Sequence, residues 1–187
     1  MSGNIRILGI AGSLRTGSYN AAALRAAVEL APAGVEIEIY DIDGFSGFNQ
    51  DLDHEPPAKV VEFKQKIRNS DAIIFSSPEY NYSVPGLLKN AIDWASRPYG
   101  DNAWDGKPAA IMGVSPGAIG TARMQYHLRQ IMVFLNMHPL NRPEVMIGDC
   151  AKKFDEAGNL TDEKTRDFIR QMTESLVAWT KRLSTNS

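Results

Sequence analysis

The segment Gly12-Ser13-Leu14-Arg15-Thr16-Gly17-Ser18-Tyr19-Asn20 follows an apolar run and leads into an alanine-rich stretch, which is the order strand, tight loop, helix. A loop of that kind turns free backbone amides and the positive end of a helix toward whatever it encloses, so an anion is its natural guest. Hydroxyls on Ser13, Thr16 and Ser18, the Asn20 amide and the Arg15 guanidinium suit a compact phosphate dianion. The loop contains neither Gly-Lys-Ser/Thr nor G-x-G-x-x-G with an acidic residue about 20 positions later, which disfavours pyrophosphate. A monophosphate such as that of FMN fits best. The plainer alternative is a tight turn permitted by Gly12 and Gly17, with the serines capping the helix.

A second loop, Ser76 to Gly86, carries Pro78, Glu79, Tyr80, Asn81 and Tyr82, too polar for core and too aromatic for an ordinary turn. Two prolines stiffen it, the tyrosines offer planar faces, and Asn81 with nearby amides suits the pyrimidine edge of a flat ring. Equally, it reads as an Asn-and-Pro turn before a helix. Glu79 is expected to face solvent and not to act as a base. A third loop, Ser115 to Thr121, is small and flexible, suited to the close approach of a ring or to a simple βα connection.

Short β-type runs alternate with helix-type segments, as in a parallel sheet covered on both faces. The predicted strands are Ile5 to Ile10, Val35 to Tyr40, Asp71 to Ser76, Ala109 to Ser115 and Glu144 to Ile147. The predicted helices are Asn20 to Leu30, Ala58 to Arg68 with Val60, Val61, Phe63 and Ile67 on one face, Leu87 to Ser96, Ala122 to Leu135, and a terminal helix opening at Thr161 to Lys164. An α/β sandwich in the doubly wound order 2-1-3-4-5 follows, and it sends all three loops to the carboxyl edge of the sheet.

The 187 residues, 43% hydrophobic, support one domain over 1–187. A formal charge of −2 and a pI near 5.9 offer no basic field for nucleic acid. No run approaches the roughly 20 apolar residues of a membrane span, and Ile5 to Ala11 is too short for a signal h-region, so a soluble protein is expected. Cys150 is the single cysteine, which excludes an internal disulfide and suits the cytoplasm. Redox chemistry would therefore need a bound cofactor. His54, His127 and His138 lack metal-ligand spacing. Leu128, Ile131, Met132 and Leu135, like Met172, Leu176 and Trp179, read as helical core or oligomer contacts.

Taken together, GSLRTGSYN at 12–20, SPEYNYSVPGLLKNAIDWASRP at 77–98, GKPAAIMGVSPGAIGTARMQYHLRQ at 106–130 and PEVMIG at 143–148 make the chain similar to the NAD(P)H-dependent FMN reductase family. It looks most like the soluble quinone and chromate reductase branch. The resemblance implies a flavodoxin-like fold, non-covalent FMN, NADPH or NADH as hydride donor, and small acceptors such as quinones, chromate, azo compounds or free flavin. It also implies a homodimer or homotetramer with FMN near a subunit interface. By motif, Ser13, Arg15, Ser18 and Asn20 hold the phosphate, with Leu14, Thr16, Gly17 and Tyr19 completing the wall. Pro78, Glu79, Tyr80, Asn81 and Ser115 hold the ring, and Asn49-Gln50-Asp51 reaches a neighbouring subunit's flavin. No side chain is assigned a catalytic role, since the ring carries the hydride and the protein supplies placement. Gly44 to Phe48 and Asn102 to Asp105 depart from the family pattern and are expected to border the acceptor site. Two other functions suit the same architecture. An electron-carrying flavodoxin would be expected to be strongly acidic, and a magnesium-binding receiver would need carboxylates at the ends of the first and third strands, where Gly, Ser and Pro stand.

Overall fold

The computed structural model describes residues 4–185. Its sheet contains β1 (Ile5–Ala11), β2 (Val35–Tyr40), β3 (Ala72–Ser76), β4 (Pro108–Val114), β5 (His138–Pro139) and β6 (Val145–Ile147), all parallel and ordered β2-β1-β3-β4-β5, with β6 also pairing β4. This is the expected order. The fifth position, however, is divided: β5 pairs with Pro108 and Ala109 at the start of β4, and β6 with Met112 to Val114 at its end. Pro139 and Pro143 explain the gap, because neither offers an N–H to a ladder.

Every residue of β3 and β4 is buried, as expected of central parallel strands covered on both faces. Side chains alternate between two cores. Leu8, Ile73 and Ile111 face Phe63 and Ile67 of α2 (Ala58–Asn69), Leu88 and Ile92 of α3 (Gly86–Ala95), and Leu128 of α4 (Ala122–Phe134). Ile7, Ile74 and Met112 face Leu24 and Ala27 of α1 (Tyr19–Glu29) and Ile169, Met172 and Leu176 of α5 (Glu163–Ser184). Val61 leaves the face proposed for α2 and is exposed, whereas Lys64 on that helix is buried and paired with Asp101. Trp179 is half-buried and donates its indole N–H to the His138 carbonyl at 3.0 Å.

Asn102 to Asp105 lies far from the expected acceptor site. It joins the end of α3 to the start of β4, so it sits at the amino edge of the sheet, and Trp104 is wholly buried against Phe63 and Phe75. Its indole N–H donates to the Ile92 carbonyl at 3.1 Å. Gly44 to Phe48 is likewise packed inward in part, with Phe45 against Phe63 and Phe48 against Trp94.

The terminal helix is capped by Asp162, whose carboxylate accepts from the Thr165 backbone at 2.9 Å and from the Thr165 hydroxyl. These bonds hold the Asp162 carboxyl below the usual aspartate range. Asp162→Ala should lower the unfolding free energy by about 1 kcal/mol at neutral pH, read from urea melts. Because the folded pKa lies below the unfolded one, the cap contributes fully above about pH 4 and fades as pH falls through the folded value. The penalty of the variant should shrink on acidification; one that grows would contradict this account.

Candidate active site

The three loops meet because each continues a strand ladder by one bond before leaving the sheet. Gly12 N–H donates to Ser76 O at 2.9 Å, Ser77 N–H to Met112 O at 3.1 Å, and Ser115 N–H to Ile147 O at 2.9 Å. The first two loops are pressed together at Gly12, where a Cβ would lie 2.3 Å from the Ser77 hydroxyl oxygen. Any side chain there would push the loops apart.

In the β1–α1 loop, the Ser18 hydroxyl caps α1 by accepting from Ala21 N–H at 3.3 Å. Ala22 N–H finds Ser18 O, and Tyr19 and Asn20 stand in the first turn, where N–H groups have no intrahelical acceptor. Leu14, Arg15, Thr16 and Gly17 are exposed, Ser13 and Tyr19 half-buried. Arg15 folds back on its own loop, donating from Nε to Gly17 O at 3.1 Å, with its guanidinium 5.4 Å from the Tyr19 ring centre. Tyr19 in turn packs on Phe154 at 4.8 Å. The donors suit a phosphate: two helix N–H groups, three hydroxyls and one guanidinium around a single turn.

Asn20 does not belong with the side-chain donors. Its amide is buried, donating to Val114 O at 3.1 Å and accepting from Val114 N–H at 2.9 Å. The reason lies in the ladder. β3 pairs with β4 as far as Met112, and two residues on, Val114 presents its main chain to the same side with β3 already gone. Asn20 takes the place of a strand residue there, and only its backbone N–H remains for a ligand.

The β3–α3 loop contains a tight hairpin. Tyr80 and Ser83 exchange two backbone hydrogen bonds, of 3.2 and 3.0 Å, while Asn81 and Tyr82 both adopt positive φ, 51° and 66°. These are the marks of a primed two-residue turn; Asn tolerates that conformation, and a bulky Tyr is strained in it. Two contacts hold the strained turn in place: the Arg123 guanidinium lies 3.7 Å from the Tyr82 ring centre, and the Ser83 hydroxyl shares a 2.7 Å hydrogen bond with His127 Nδ1.

Glu79 is not solvent-facing, contrary to expectation. Its side chain is 6% exposed; Oε1 accepts from Arg123 Nε and Oε2 from Met124 N–H at 3.1 Å. Thr121 provides α4 with no side-chain cap, so Glu79 neutralises the start of that helix from across the loop. Pro78 is half-buried, and Tyr80 and Asn81 are exposed. Between the hairpin and the β4–α4 loop lies a cavity of about 400 Å³ bordered by Glu79, Asn81, Tyr82, Ser115, Gly117 to Gly120 and Arg123. That volume falls within the range of small-molecule sites. The Ser115 hydroxyl oxygen accepts from Gly117 N–H at 3.1 Å, which leaves its proton to donate.

Arg123 went unnoticed in the sequence. Its signal was a cation in the first turn of a helix without an acidic residue there, a placement the helix dipole opposes unless a partner compensates. Cys150 is buried beside this edge, its N–H donating to Ser115 O at 3.3 Å, and burial pushes its thiol pKa up, so it is no poised nucleophile. Asn49, Gln50 and Asp51 form an exposed turn in which Asn49 caps Asp51 at 3.0 Å.

A parallel sheet in this order, with a donor-rich first loop and an aromatic, cavity-forming β3–α3 loop at its carboxyl edge, is a flavodoxin-like arrangement with its ligand site at that edge. Residues 5–152 match the family described as NADPH-dependent FMN reductase, and the chain belongs to that family. It is 54% identical over 185 residues to an NAD(P)H-dependent FMN reductase of Pseudomonas aeruginosa, covering 98% of this chain and 99% of that one. It is 46% identical to a quinone reductase of Pseudomonas putida, covering 92% of each. Among solved structures, the flavoenzyme NAD(P)H:(acceptor) oxidoreductase FerB of Paracoccus denitrificans superposes with a TM-score of 0.88 at 38% identity, over 95% of this chain and 98% of FerB. The protein is thus an oxidoreductase that uses FMN and NAD(P)H.

Asn20→Ala should lower the stability of the FMN-free protein by about 1–3 kcal/mol, the cost of leaving buried main-chain groups of Val114 without partners. Chemical denaturation of the apoprotein measures it. Unchanged apoprotein stability combined with weaker FMN binding would return Asn20 to the phosphate.

Proposed function

We propose that the β1–α1 loop receives the FMN phosphate, that the cavity between the hairpin and the β4–α4 loop receives the ring, and that quinones are the acceptors. The observation that carries this reading is the meeting of those two features at one sheet edge, braced by Asn20 and Gly12. Bound there, FMN supplies a ring that takes hydride from the nicotinamide and yields reducing equivalents to an acceptor.

The chain's own part is placement and charge. Tyr19 and Asn20 offer backbone N–H groups, Ser13, Thr16 and Ser18 hydroxyls, and Arg15 a guanidinium that exchanges its Gly17 carbonyl for phosphate. Leu14 and Gly17 wall the turn. Pro78 and the rigid Tyr80–Ser83 hairpin fix one side of the ring site, with the Asn81 amide beside them, and the Ser115 hydroxyl donates from the other. Glu79 acts through Arg123 and α4 as a positioning residue. Quinone as acceptor is supported by the 46% identity to a quinone reductase over nearly the whole chain.

One domain spans 1–187. Self-association through α4 is supported by Tyr126, Val133 and Phe134, which are 59%, 80% and 73% exposed along it, and the Asn49–Asp51 turn would then approach a neighbour's ring. No helix among the described residues is long and apolar enough to cross a membrane, and the free thiol of Cys150 suits the cytoplasm.

Anaerobic addition of NADPH to the FMN-loaded protein should bleach the flavin band near roughly 450 nm within seconds, and a quinone should restore it. A protein that stays yellow would instead be an electron carrier, and one that binds no FMN would overturn the site. Arg15→Gln should weaken FMN binding roughly 10- to 100-fold, read by flavin fluorescence, as expected for loss of a charge-assisted contact.

A further inference from the structure

Among the described residues, Arg123 is the one basic side chain bordering the ring cavity. Its guanidinium is held on two sides, by Glu79 at Nε and by the Tyr82 ring at 3.7 Å, and its two terminal nitrogens have no hydrogen-bond partner among the described residues. A guanidinium fixed in this way keeps a planar pair of donors ready at little entropic cost, the geometry that matches a phosphate. The backbone N–H groups of Ala122 and Arg123, in the first turn of α4, lack intrahelical acceptors beside it. The FMN phosphate already has its own loop on the other side of the sheet edge, and a quinone carries no anion. The nicotinamide donor is the reactant that brings phosphates to this cavity.

We propose that Arg123 holds a phosphate of the dinucleotide donor, and so determines how tightly NADPH or NADH binds over the ring site. This rests on the placement of the FMN ring in the same cavity. It divides the two half-reactions: Arg123 contacts the donor, and a neutral acceptor feels its loss only through the hairpin it braces. Glu79 and Tyr82 serve as its mount.

The test uses the FMN-loaded enzyme and rapid mixing without oxygen. Arg123→Gln is compared with the double variant Glu79→Gln/Arg123→Gln, which avoids orphaning a buried carboxylate, and with Arg123→Lys. The donor Kd, from saturation of the reduction rate, should rise roughly 10- to 100-fold in the Gln variants, with partial recovery in Lys, which keeps the charge and loses the fork. Reoxidation by a neutral quinone reads any loosening of the hairpin that Arg123 braces through Tyr82, and the rise in donor Kd should exceed any change in that rate. A rise confined to NADPH assigns the 2′-phosphate, and an equal rise for NADH assigns the pyrophosphate. Unchanged Kd for both donors, or an equal loss in both half-reactions, overturns the proposal. FMN content is read separately from absorbance: a wild-type protein that retains no FMN sinks the underlying site, whereas one that retains FMN with an unmoved donor Kd sinks only the role of Arg123.

Discussion

The structure turns on the place where β3 ends before β4 does. A parallel ladder that stops at Met112 leaves the main chain of Val114 facing a gap, and a buried unpaired peptide group is costly. Asn20 closes the gap from the first turn of α1, with a carboxamide that copies the donor and acceptor of a strand residue. Ser76, the last residue of β3, adds a hydroxyl bond of 2.9 Å to the Asn20 carbonyl. The helix that follows the first loop is thereby tied to both strands that launch the other two loops, and the two halves of the candidate site are kept in register by bonds that involve no ligand.

The second half of the site depends on Glu79. An uncapped α4, a cation in its first turn and a hairpin with two residues at positive φ are each unfavourable alone. One buried carboxylate answers the first two directly, by accepting from Met124 N–H and Arg123, and the third through Arg123, which stacks on Tyr82. His127 adds a second tie through Ser83. Strain in the turn is thus offset by contacts from a different element, and the hairpin can be rigid without glycine.

The sheet order, five helices and the convergence of three loops were legible because they follow from local signals: apolar runs, Gly and Pro punctuation, and a serine before a helix. The hydroxyls, guanidinium and helix N–H groups of the first loop are contiguous in sequence, and the structure keeps them around one turn. What escaped was long-range. Asn20 reads as a phosphate ligand in a motif and becomes a sheet surrogate only when β4, 94 residues away, is beside it. Glu79 reads as a solvated turn residue until Arg123 arrives from the next βα unit. Trp104 sits in a segment that looks like a variable loop, yet it fills the core at the opposite end of the sheet. The split of the fifth strand was visible in principle, since Pro139 and Pro143 both lack the N–H a continuous ladder requires.

The two halves of the site therefore differ in kind. Under the proposed function the first loop would bind phosphate through consecutive backbone and hydroxyl donors around a helix terminus, an arrangement suited to a small dianion. The ring cavity is bordered by backbone, by small residues from Gly117 to Gly120, and by side chains at its rim, with Tyr82 70% and Ile119 58% exposed. Its side-chain donors, Asn81, Ser115 and Arg123, come from three separate elements, so under the proposed function they would select by charge and leave a neutral flat acceptor with little beyond ring contact. Under the proposed function, selectivity for cofactor and for acceptor would thus arise within one sheet edge, from the difference between donors that are contiguous in sequence and a wall assembled from separate elements.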